Sequence, residues 1–71
     1  MILRVTDQTG DTVVDTEIEY DLAVDLFQKA TERQMWGKGI LNGQSYFIPA
    51  GTAFDELDYD EVIMLPQQVG G

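Results

Sequence analysis

The chain has 71 residues, with 13 acidic against four basic side chains and a formal net charge of −9 at neutral pH. This length makes one domain, near the lower size at which a chain folds unaided, and the charge argues against nucleic acid and anionic membrane surfaces as partners. With no cysteine and no histidine, there is no disulfide or thiol chemistry and neither the usual general base nor the commonest metal ligand, so neither an enzyme active site nor a bound cofactor or metal is expected.

No apolar run approaches the roughly 20 residues that span a bilayer. Met1 leads straight into a strand-like pattern, unlike a signal peptide, and the expected location is cytoplasmic. Met1, Leu3 and Val5 alternate with Ile2, Arg4 and Thr6, as in a strand with one face in the core. Asp7-Gln8-Thr9-Gly10-Asp11 has the composition of a turn. Residues 12–20 alternate again, which predicts a second strand with Val14, Thr16, Ile18 and Tyr20 on one face and Asp15, Glu17 and Glu19 in water.

At Asp21, a candidate helix cap, the period changes from two to nearly four. Ala23, Leu26, Phe27 and Ala30 form an apolar stripe with Leu22 at its edge, predicting a helix over residues 22–34 that stops before Gly37. Asp25 and Lys29 are spaced four apart in the favourable order. Ile40-Leu41 and Tyr46-Phe47-Ile48 bracket Asn42-Gly43, the strongest short hairpin signal, because both turn residues tolerate positive φ. Trp36, Tyr46, Phe47 and Phe54 are expected in the core or at its edge. Pro49-Ala50-Gly51 breaks the chain, and residues 52–57 read as one helical turn that brings Ala53, Phe54 and Leu57 over the end of the core.

Asp55, Glu56, Asp58, Asp60 and Glu61 make an acidic run without a base. Most such runs are simply solvated, and the spacing is not that of a calcium-binding EF-hand loop. A basic surface on another protein is the partner they would suit, as would Asp15, Glu17 and Glu19. Val62-Ile63-Met64-Leu65 then reads as a strand buried on both faces. Pro66 has no N–H for a ladder and should end it. Gln67-Gln68-Val69-Gly70-Gly71 follows as a short uncharged tail ending in a carboxylate.

The order is hairpin, helix, short hairpin, acidic connection, strand. The last strand and the first are apolar enough to lie side by side and parallel at the centre of a mixed sheet of four or five strands, under the helix. That arrangement is an α+β fold, the β-grasp, with residues 1–66 as the domain and 67–71 as a flexible C-terminal Gly-Gly tail. The expected core is Leu3, Val5, Ile18, Leu26, Ala30, Leu57, Ile63 and Leu65.

Asn42-Gly43-Gln44, Leu57, Tyr59-Asp60-Glu61-Val62, Ile63-Met64-Leu65-Pro66 and Gly70-Gly71 together resemble the ubiquitin-like superfamily. Within it, they are closer to the sulfur carriers of molybdopterin and thiamine synthesis and to prokaryotic ubiquitin-like modifiers than to ubiquitin. The chain departs from the carriers at Tyr59, where they usually have glycine, and at Gln67, where the small molybdopterin-synthase subunit usually has a second proline. It lacks ubiquitin's tail arginines, and Gln8 gives no counterpart to ubiquitin's apolar recognition residue.

The resemblance implies a carrier, not an enzyme. Its Gly71 carboxylate would be adenylated with ATP by a ubiquitin-activating-type enzyme, and Gly70 and Gly71 would thread a narrow channel because they have no side chains to clash. The product would be either a thiocarboxylate for a sulfur-accepting synthase, or a conjugate made by a conjugating enzyme and reversed by a deconjugating protease. Pro66 and Val69 join the acidic run as candidate docking residues. The alternative is a β-grasp interaction module that is never activated, or a structural component of a larger assembly.

Overall fold

A computed structural model describes residues 1–67; the expectations for Gln68, Val69, Gly70 and Gly71 lie outside the described residues. The elements in chain order are β1 (Ile2–Asp7), β2 (Gly10–Asp15), α1 (Tyr20–Glu32), β3 (Trp36–Leu41), β4 (Gln44–Ile48), a 3₁₀ turn (Phe54–Glu56) and β5 (Glu61–Leu65). The strands form one five-stranded mixed sheet in the order β2-β1-β5-β3-β4. The two hairpins are antiparallel, β5 runs antiparallel to β3, and β1 and β5 lie parallel at the centre, with Leu3 opposite Val62 and Val5 opposite Met64.

One sheet face is covered. Leu3, Val5, Val14, Ile48, Val62 and Met64 point into it and meet Ala23, Phe27 and Ala30 of α1. Burying a side chain such as Leu3 or Met64 is worth about 1.5–3 kcal/mol, and a chain this small needs each of them. The closest neighbours of α1 in the sheet are β1 and β2, so the helix does not sit centrally over β5. Phe54, Leu57 and Tyr59, from the connection before β5, pack against the same core. Phe54 meets Phe27 edge-on, with ring centroids 5.6 Å apart.

The second strand stops at Asp15, short of the expected residue 20. The Asp15 carboxylate accepts the Glu17 N–H at 2.9 Å, and its carbonyl accepts from Ile18 and Glu19. These local bonds compete successfully with the ladder and turn the chain into the helix. Ile18 therefore lies outside the core, at 78% exposure. The helix begins at Tyr20, one residue before the expected cap Asp21, which instead sits in the first turn where its charge suits the helix dipole.

At its other end α1 stops because Gln34 adopts the left-handed conformation (φ 60). The Gln34 N–H bonds the Thr31 carbonyl and the Met35 N–H that of Ala30. This is the Schellman arrangement, with glutamine in the seat glycine usually takes. The helix thus ends at Glu32, before Gly37 is reached.

In β5 only Val62 and Met64 are buried; Ile63 and Leu65, expected in the core, lie half-buried on the opposite face. The sheet has one helix, which covers one face, so alternate residues of even the central strand face outward.

Candidate functional site

The uncovered sheet face gathers residues from all five strands. The registers place Val13, Arg4, Ile63, Lys38 and Phe47 in one row across it, with Leu65 and Trp36 paired in the next. Trp36 is 44% exposed and Phe47 64%, their ring centroids 6.2 Å apart, so both lie on the open face and not in the core or at its edge, where the sequence placed them. Tyr46, on the helix side of the edge strand β4, is 43% exposed and leans on Tyr59 at 6.2 Å. Phe54 is at the core edge as expected.

The local pattern explains the aromatic placement. Gly37 and Gly39 alternate with Trp36, Lys38 and Ile40. A Cβ on Gly39 would lie 2.5 Å from the Tyr59 ring, and one on Gly37 would lie 3.2 Å from Ile48 and Met64. The covered side of β3 has room only for glycine at Gly39, so the large side chains of this strand face outward. The strict alternation of glycine with bulky residues was the signal in the sequence.

Arg4 fixes the charge at the centre of the open face. Its guanidinium donates to Glu61 at 3.1 Å and to Asp11 at 3.3 Å, tying β1 to both of its neighbours. The hydrogen bond to Glu61, then that to Asp11, raises its pKa above the ordinary arginine value. Charge is segregated along the sequence: no acid lies between Glu32 and Asp55, whereas Arg33 and Lys38 do.

Several acids of the run are engaged within the chain. Glu61 is committed to Arg4, Asp55 accepts the Tyr20 hydroxyl at 3.1 Å, and Asp60 accepts the Asn42 N–H at 3.2 Å. The Asp55 contact raises the Tyr20 pKa. Glu56 and Asp58 are exposed, Glu56 in the 3₁₀ turn and Asp58 in the loop after it. Of the other acids named from the sequence, Glu17 and Glu19 are exposed and Asp15 is half-buried. Among the described residues, no group of three or more acidic side chains is placed to hold a metal ion.

Pro66 ends the ladder and is exposed. It lines a groove of about 840 Å³ at the end of β5, with Met35, Trp36, Pro49, Thr52 and Leu65 among its walls. Glu61 and Pro66 stand at opposite ends of β5, roughly 16 Å apart at the strand rise per residue. A partner touching both must span the whole central strand. Val69, Gly70 and Gly71 lie beyond the described residues.

Comparison with protein-family models, with curated proteins and with solved structures gives no match.

Proposed function

We propose that this chain is a ubiquitin-like β-grasp carrier whose C-terminal Gly-Gly carboxylate is adenylated by a ubiquitin-activating-type enzyme. The observation that carries the reading is the placement of β5. It lies parallel to β1 at the centre of the sheet and its ladder ends at Pro66, beyond which the sequence is the uncharged segment Gln67-Gln68-Val69-Gly70-Gly71. A carrier needs this economy: a rigid core anchors the last strand, and a short uncharged segment delivers a carboxylate to a partner's nucleotide pocket. Attack of that carboxylate on the α-phosphate of ATP gives an acyl-adenylate and releases pyrophosphate. A sulfur nucleophile can then displace AMP to leave a thiocarboxylate, or a thiolate followed by a lysine amine can make a conjugate. The chain contributes the electrophile and a docking surface, and its partners contribute the catalytic groups and the ATP. Glu56 and Asp58 are the acids most available to a basic partner surface.

The test is intact-mass spectrometry after incubating the chain with ATP and a ubiquitin-activating-type enzyme encoded by the same genome. The expected product is heavier by the oxygen-to-sulfur difference when sulfide is supplied, or by a whole protein after conjugation. Deleting Gly71 should abolish either product and leave the thermal transition unchanged. No product from the intact chain, together with full biological activity of the Gly71 deletion, would overturn the reading. The alternative, a β-grasp interaction module that is never activated, draws support from the exposed Trp36 and Phe47 on the open face.

A further inference from the structure

We infer that the outer edge of β4 pairs with the β4 edge of a second copy of this chain, in antiparallel register about a two-fold axis at Tyr46. This goes beyond the carrier reading and does not depend on the tail.

The turn settles which edge groups are available. Asn42 (φ 52) and Gly43 (φ 79) form a two-residue turn with both φ values positive, so Leu41 and Gln44 exchange backbone hydrogen bonds. Bonded and non-bonded pairs then alternate, and Tyr46 and Ile48 also point their backbone groups at β3. The Ile40 carbonyl confirms the phase: it accepts from the Asp60 N–H at 2.8 Å on the β5 side, so it is turned away from Ser45. The N–H and C=O of Ser45 and Phe47 are therefore directed out of the sheet.

A two-fold axis at Tyr46 sets Ser45 of each copy opposite Phe47 of the other, and each such pair can exchange both of its hydrogen bonds. All the outward backbone groups of β4 are then used, with none left over. On the open face the two Phe47 rings become diagonal neighbours, extending the Trp36–Phe47 contact into an aromatic row across both copies.

Charge favours a second copy at this edge and opposes one at the other. β4 carries no charged residue, and the stretch between Glu32 and Asp55 has no acid. The opposite edge, β2, carries Asp11 and Asp15, which protect it from strand pairing. With a net charge of −9 per copy, long-range repulsion still opposes association, so salt should strengthen the dimer by screening it. The contact is small, and a dissociation constant on the order of 100 μM is expected.

Sedimentation velocity from about 10 μM to about 1 mM protein covers that range, with the intrinsic fluorescence of Trp36 followed over the same series. The mass should rise from 8.0 kDa towards twice that value, and more readily in about 0.5 M than in about 0.05 M salt. Phe47→Pro removes an N–H that the monomer's ladder does not use, so it should keep the circular dichroism spectrum and abolish the dimer. Tyr46→Lys and Tyr46→Glu each set like charges opposite one another and should weaken the dimer about five- to tenfold, while their equimolar mixture should recover it. A wild type that stays monomeric at the highest protein and salt, a Phe47→Pro chain that still dimerises, or a mixture no tighter than either Tyr46 variant alone would overturn the inference.

Discussion

Gly39→Ala asks whether Tyr59 holds β3 in place. A methyl on Gly39 would lie 2.5 Å from Cδ1 and Cε1 of Tyr59 and 2.6 Å from Cγ. Carbon atoms rest about 3.5–4 Å apart, so the ring must withdraw by roughly 1 Å. Tyr59 is half-buried in the connection before β5 and packs on the core. Its movement disturbs that packing and the contact with Tyr46, but need not break the sheet. Overpacking of this kind costs about 1–3 kcal/mol. At about 4–8 °C per kcal/mol for a chain of this size, the melting temperature should fall by roughly 5–20 °C. Urea and thermal unfolding followed by circular dichroism measure it. In a Tyr59→Ala background the same substitution meets no ring and should cost nothing, or stabilise slightly by relieving the glycine entropy term. A Gly39→Ala variant within about 0.5 kcal/mol of wild type, or one that loses equal stability in both backgrounds, would refute the close packing of Tyr59 on this strand.

Gln34→Gly should stabilise the chain. Left-handed backbone costs an L-residue about 1–2 kcal/mol, and the added freedom of glycine in the unfolded chain returns about 0.4–1 kcal/mol of that, leaving a gain near 0.5–1 kcal/mol that is readable as a higher urea midpoint. Acid sensitivity should include Asp7, whose carboxylate accepts the Thr9 hydroxyl at 2.6 Å and the Thr9 N–H at 2.8 Å, holding its pKa below the ordinary 3.8. A depressed folded value means that this contribution is present above the unfolded pKa and is lost as pH falls through the folded one. Asp7→Asn should therefore flatten the acid end of the stability–pH curve and leave its slope near neutrality unchanged, as measured by urea midpoints at successive pH values.

Periodicity alone was enough to read much of this protein. The alternation of Leu3 and Val5, the Ala23-Phe27-Ala30 stripe, Asn42-Gly43 and the run from Val62 to Leu65 each follow from local geometry, and together they led to a central parallel pair of strands. The end of β2 was not legible, because local bonds decided it, the Asp15 carboxylate accepting the Glu17 N–H and its carbonyl those of Ile18 and Glu19, against an alternation that continued through Ile18. Nor was the fate of Trp36, Phe47, Ile63 and Leu65. Alternation states which residues share a face, but burial requires something to lie on that face. Only the assembled structure shows that α1 and the Phe54-to-Tyr59 connection cover one side of the sheet and leave the other open. The tight fit of Tyr59 on Gly39 belongs to the same class: the two are far apart in the chain, and their contact exists only once β3 and β5 are paired.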